Sequence, residues 1–186
     1  METLEQLFEE TLRDIYYAEK AILKNLPKMA KKASSQNLAA AFEEHFVQTE
    51  AQVERLEEIF QMIGKAPRGK TCPAIDGLAE EAAKLMQEAK DDTVRDAGML
   101  AAAQAVEHYE ISRYGTLAAW AEKLGMSEAV TLLQETLEEE KDTDMKLSEL
   151  ALSEINVEAQ AADEADAKTS RRSRAKRDNG APTRRA

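Results

Sequence analysis

Turn-forming residues are scarce in this chain: seven glycines and four prolines in 186 residues, roughly half the combined share of about 12% in ordinary globular proteins. Few turns mean long elements, and the apolar residues recur every three or four positions rather than alternately, which is the signature of helices buried along one face. Strand signals are nearly absent, so the expected fold class is all-α. With 33% charged and 43% hydrophobic residues, the chain has enough apolar surface for a compact domain. No apolar run approaches the ~18 residues of a membrane span, so no membrane partner is expected. The opening Met1-Glu2-Thr3-Leu4-Glu5 is acidic where a secretory leader is basic and then apolar; a cytoplasmic location is expected. Cys72 is the single cysteine, which excludes an internal disulfide and any Cys-x-x-Cys zinc or iron–sulfur site.

Charge is distributed unevenly. The net −11 divides into +7 over Lys168–Ala186 and −18 over residues 1–167. The basic stretch holds Lys168, Arg171, Arg172, Arg174, Lys176, Arg177, Arg184 and Arg185 against one acid, Asp178. It has no apolar periodicity, and a segment that cannot bury apolar surface cannot offset the entropy of ordering itself. The expected organisation is a helical bundle over residues 1–157 and a disordered tail over 158–186, basic from about residue 168. Such a tail suits weak, non-specific contact with nucleic acid or another polyanion. It contains no aromatic residue to stack on bases, so any such contact would be sequence-blind and salt-sensitive. The acidic remainder repels nucleic acid.

Thr3 and Gln6 form a capping-box pattern at the start of a first long helix. Its stripe Leu7, Leu12, Ile15, Ile22, Leu26 and Met29 runs to about Ala33. Pro27 removes one backbone donor within it, and a kink is expected there. Ser34 or Ser35 can cap a second long helix with the stripe Leu38, Phe42, Phe46, Val53, Leu56 and Phe60, stopped at Gly64. Residues 64–73 read as loop, and Ala74 to about Lys90 as a shorter crossover helix. A third long helix from about Thr93 to Leu124 ends at Gly125, and a fourth begins near Ser127. The two- or three-residue turn makes these last two antiparallel.

Shifting the sequence by 91 residues places Glu19, Leu26, Ala30, Lys32, Glu44, Leu56 and Glu58 on Glu110, Leu117, Ala121, Lys123, Glu135, Leu147 and Glu149. The same offset carries the first long helix onto the third and the second onto the fourth without a gap. Two antiparallel helical hairpins joined by a long crossover make a ferritin-like four-helix bundle, here with an additional short crossover helix.

Carboxylates interrupt the apolar stripes at a common depth. Glu19 lies between Ile15 and Ile22, and its repeat mate Glu110 lies between Val106 and Leu117, with Glu107 one turn before it. Glu140 and Asp144 stand one turn apart on the fourth helix, and the second helix offers His45, Thr49 and Gln52. Counting from the hairpin turns, Glu19 faces about residue 49 and Glu110 faces about residue 140. A lone inward carboxylate is costly to bury. Acids at one height on the helices of a bundle, with imidazole and amide beside them, suit iron or manganese, with Glu19 and Glu110 bridging a pair of ions. In a chain with 36 acids, the same residues also fit a wetted bundle end. His108 sits about 200° around the helix from Glu110, at ~3.6 residues per turn, and is expected to face outward or into a subunit contact. Trp120 and the stripe methionines read as core.

The segments QAVEHYEISRYGTLAAWAEKLG (Gln104 to Gly125) and ETLEEEKDTDMKLSELA (Glu135 to Ala151) resemble the YciE/YciF-like family of bacterial stress-induced, ferritin-like proteins, and so do LRDIYYAEKAILKNLPKMA, AFEEHFVQTEAQVERLEEIF and KTCPAIDGLAEEA. The resemblance covers about residues 3 to 157. It implies a ferritin-like helical fold, a homodimer, and a two-metal carboxylate site of rubrerythrin type held by Glu19, His45, Gln52, Glu110, Glu140 and Asp144. The chain departs from the wider ferritin-like pattern. Where di-iron bundles carry Glu-x-x-His on two helices, this sequence reads Thr49-x-x-Gln52 and Glu140-x-x-Thr143. Two functions are therefore expected to compete: a stress protein whose iron or manganese pair handles peroxide or oxygen, and a metal-free dimeric interaction protein.

Overall fold

The computed structural model of the chain describes residues 1–162 and Glu164. Five α-helices follow in order: α1 (Leu4–Lys32), α2 (Gln36–Met62), α3 (Pro73–Glu88), α4 (Asp92–Lys123) and α5 (Ser127–Leu150). No strand occurs among the described residues. α1 and α2 form one antiparallel hairpin, α4 and α5 the other; α1 packs on α4 and α2 on α5, while α3 crosses over against α4 and α1. This is the two-hairpin bundle expected from the repeat. Lys32 and Lys123 end their helices 91 residues apart, and Gln36 and Ser127 begin theirs at the same offset.

Local chemistry sets the ends. The Thr3 hydroxyl accepts from the Gln6 amide at 3.2 Å, and Gln6 Oε1 accepts from the backbone of Glu2 at 2.8 Å, a capping box shifted by one residue on its return arm. Ser35 caps α2 through Leu38 N at 3.2 Å. A second cap there comes from across the bundle: buried Asp96 of α4 accepts from the amides of Ser34 and Ser35 at 3.0 and 2.7 Å. Its carboxylate satisfies donors that a helix start leaves unpaired, a role the sequence alone did not disclose. Gly64 and Gly125 adopt φ of 68° and 72° where α2 and α4 end, the left-handed closure that favours glycine. α1 remains helical through Pro27.

The core runs the length of the bundle, from Phe8, Leu12 and Phe60 near one end to Leu26, Leu38 and Leu100 towards the other, all nearly inaccessible. Tyr16 and Phe60 meet edge to face at 5.5 Å. The loop into α3 crosses α1 where Gly69 lies against Tyr17; a Cβ at residue 69 would stand 3.1 Å from Tyr17 Cβ. Cys72 is buried, with Sγ 3.0 Å from the Tyr109 hydroxyl. After α5 the chain makes a π-helical turn over Ala151–Ile155 and stays helical through residue 162, past the expected domain end at residue 157. The basic stretch from residue 168 lies outside the described residues. Among the described residues no helix is long and apolar enough to cross a membrane.

Candidate metal centre

Halfway along the bundle the apolar core gives way to a polar layer. Glu19 from α1, His45, Thr49 and Gln52 from α2, Glu107 and Glu110 from α4, and Glu140 from α5 are all at most 4% exposed. Inward placement follows from helical spacing. Glu107, Glu110 and Tyr114 occupy the same α4 stripe as Ala103 and Leu117, and Glu140 continues the stripe of Leu133 and Thr136. One ligand atom from each of His45, Glu107, Glu110 and Glu140 lies within 4.8 Å of the others, a spacing that can hold a metal ion. Glu19 adjoins the same group, and its pKa is influenced by both Glu110 and Glu140.

Hydrogen bonding leaves the layer incomplete. Tyr114, itself fully buried, donates its hydroxyl to Glu19 Oε1, and Gln52 donates its amide to Glu140 Oε1. His45 Nε2 lies 3.4 Å from Glu107 Oε1, without hydrogen-bond geometry. Nine buried side-chain polar atoms among the described residues lack a hydrogen-bond partner, and eight of them belong to Glu19, His45, Gln52, Glu107, Glu110 and Glu140. The ninth, Arg95 Nε, lies elsewhere. Beyond the Tyr114 and Gln52 contacts, carboxylate faces carboxylate. Buried polar groups are otherwise almost always satisfied, so the layer requires either protons or a cation between its oxygens.

Electrostatics agree. Burial, reinforced by the charge of Glu140, pushes the Glu19 carboxyl up to about 8. Burial pushes Glu107 up to about 7. Glu110 is driven well above the carboxylate range by burial and by Glu19 and Glu140, and Glu140 by burial and Glu107. The guanidinium of Arg55 on α2 is engaged by Glu139 at 2.7 Å and Glu135 at 2.9 Å, outside the four-ligand group. Anions crowded in a low-dielectric core, with one imidazole among them, fit a metal cation.

Of the residues singled out from sequence, Glu19, His45, Gln52, Glu110 and Glu140 meet in this layer. Asp144 does not join them: it is half-buried at the edge, 3.3 Å from Gln104 Nε2 and 3.2 Å from His108 Nε2. His108 faces outward as expected, with its side chain 69% exposed. Three members of the layer, Thr49, Glu107 and Tyr114, fall outside the set expected from sequence. Glu107, one turn before Glu110, contributes to the four-ligand group; its spacing to Glu110 is the available signal. Tyr114 has the look of a plain aromatic stripe position, and only its offset of four from Glu110 hints at more. Thr49 and Thr143, at the positions where di-iron bundles place ligands, turn their hydroxyls back to the carbonyls of His45 and Glu139 at 2.8 and 3.0 Å.

Known proteins share both sequence and fold. The family described as a domain of unknown function (DUF892) matches residues 3–160. Protein YciF of Escherichia coli K12 is 45% identical over 162 residues, covering 86% of this chain and 97% of YciF. The crystal structure of the E. coli stress protein YciF superposes with a TM-score of 0.80 at 44% identity, covering 84% of this chain and 99% of that one. YcfI from Rhodopseudomonas palustris, described as a candidate structural protein, gives 0.78 at 50% identity over 79% of this chain and 94% of its own. A Xanthomonas campestris protein at 19% identity and TM-score 0.66 shares the fold over 88% of this chain and 99% of its own.

Proposed function

The chain belongs to the DUF892 family, as a homologue of the stress protein YciF, and from its buried acid layer we propose that it is a stress protein whose bundle core holds redox-active iron or manganese that reacts with peroxide or oxygen. The observation that carries this reading is the gathering of eight unpartnered buried polar atoms in one layer. One ion would be held by His45, Glu107, Glu110 and Glu140; a second would fall to Glu19, sharing Glu110. Such ions supply electron exchange with an oxygen species. The chain supplies the rest: Tyr114 fixes a proton on the hydroxyl that faces Glu19, Gln52 orients Glu140, and Ile15, Ile22 and Leu133 on the layer's own helices exclude water. Elemental analysis of protein purified without a histidine tag tests it. Stoichiometric iron or manganese in the wild type, lost in Glu107→Ala and Glu110→Ala, is expected; metal that is substoichiometric and unchanged in both variants overturns it.

A second reading is favoured by Thr49, Gln52 and Thr143 standing where stronger ligands occur in di-iron bundles: a metal-free dimeric interaction or structural protein. It requires the melting temperature to stay flat on adding Fe²⁺ or Mn²⁺, whereas binding to the native state alone would raise it. Under either reading the chain is proposed to act as a homodimer, and the Lys168–Ala186 segment to contact polyanions weakly. A mobility-shift comparison of the full chain with a deletion of residues 168–186 tests the latter. Absence of any DNA shift at low salt removes it.

A further inference from the structure

Beside the acid layer lies a cavity of about 170 Å³ between α1, α3 and α4, and His45 and Glu107 form part of its wall. Its existence follows from how α3 is mounted. The start of α3 is fixed by buried Ile75 and by Asp76, which accepts from the Tyr17 hydroxyl at 3.0 Å. Its far end rests on bare backbone: a Cβ at Gly98 would fall 2.0 Å from Leu85 Cδ2, so α4 approaches Leu85 closely only because residue 98 is glycine. Between these fixed points, small residues face the space from both sides, Ala79 and Ala82 on α3 and Ala102 and Ala103 on α4, with Leu26 and Met29 of α1 closing it. Larger side chains at the alanine positions would fill this volume, and a void so lined forfeits packing.

A second feature points to an occupant. His45 is 4% exposed, and neither ring nitrogen has a hydrogen-bond partner. Its Nε2 is turned towards Glu107, while the ring belongs to both the cavity wall and the four-ligand group. The cavity therefore runs from the solvent edge, where Lys28 Nζ donates to Asn25 Oδ1 at 3.1 Å, to the candidate metal centre.

We infer that this cavity is a binding pocket for a small, uncharged, largely apolar molecule of about six to eight non-hydrogen atoms, placed against His45; the size follows because a cavity of ~150 Å³ already accepts benzene. Its placement beside a metal centre rests on the function proposed above; as a binding site it is testable without metal. The two histidines of the chain make the measurement direct. Toluene and 1-hexanol are titrated into the full-length protein, as purified and after metal removal, while the ring proton resonances of His45 and His108 are followed by NMR. A saturable shift confined to His45, with Kd raised at least tenfold in Ala82→Leu, is expected; Ala79→Leu serves as a second blocking variant should the first fail to fold. No saturable His45 shift in either form of the wild type, or an unchanged Kd in the folded blocking variants, overturns the pocket. Elemental analysis of the same samples separates the two readings: bound metal without toluene binding sinks the pocket alone, and toluene binding without metal supports the pocket and counts against the metal centre alone.

Discussion

The hydroxyl of Tyr114 donates to Glu19 across the α1–α4 interface, each side chain with no accessible surface. This bond lowers the proton affinity of Glu19 that burial raises. Tyr114→Phe keeps the ring and removes that donor. Leaving a buried acceptor unpaired costs ~1–3 kcal/mol, and in a chain of this size each kcal/mol moves the melting temperature by ~2–4 °C. Circular-dichroism melts of metal-free protein should show Tyr114→Phe lower by roughly 2–12 °C. An unchanged melting temperature would mean that the bond does not stabilise the fold.

Metal-free protein should lose stability as pH rises. Glu19 and Glu107 have pKa values pushed from 4.5 up to about 8 and about 7 in the fold, mainly by burial. An acid whose folded pKa is raised holds its proton more tightly folded than unfolded. Its stabilising effect is therefore full below about 4.5 and drains away as pH climbs through 7 and 8. Every tenfold gain in proton affinity on folding corresponds to about 1.4 kcal/mol. Melting temperature should fall between pH 5 and pH 8, and Glu19→Gln should flatten the fall. Because a cation displaces the same protons, added Fe²⁺ or Mn²⁺ should raise the melting temperature more at pH 8 than at pH 5.

Glu107 and Asp144 should behave oppositely, although both are acids next to the same layer. Glu107→Gln removes a member of the four-ligand group. Altering an outer partner of a metal site costs ~10–100-fold in affinity, so losing a direct oxygen ligand should cost at least as much. Asp144→Asn releases only Gln104 and His108 at the half-exposed edge and should leave metal content unchanged. Competition with a chelator of known affinity measures both.

These contrasts mark what the sequence disclosed and what it hid. The 91-residue offset aligned the helix ends at the two hairpin turns to the residue and placed Glu19 and Glu110 at one depth, because symmetric hairpins put repeat mates at equal heights. Glu107 and Tyr114 break that symmetry: their mates at the same offset are Tyr16 and Leu23, so a search for matched carboxylates passes over them. Asp144 suffered the reverse error. The buried stripe of α5 steps from Glu140 to Thr143 and Leu147, and Asp144, one residue past Thr143, is turned about 100° away from it. Asp96 was hidden for a different reason, since its partners are backbone amides at the α1–α2 turn, and a backbone donor leaves no mark on composition or spacing.

Val47 and Met145 are 65% and 58% exposed, on helices that join side by side through Lys146–Glu44 at 2.6 Å and Thr143–Gln48 at 3.4 Å. Single exposed apolar side chains are ordinary, but these two lie on neighbouring helices, and a twofold interface needs only one such patch repeated on each copy. Light scattering should give twice the 20.7 kDa of one chain. Replacing both residues, Val47→Lys with Met145→Lys, should return the mass to 20.7 kDa without loss of helicity, because neither side chain is part of the core. A wild-type mass of one chain at micromolar concentration would remove the dimer, and a dimer that survives the double substitution would place its interface elsewhere on the bundle.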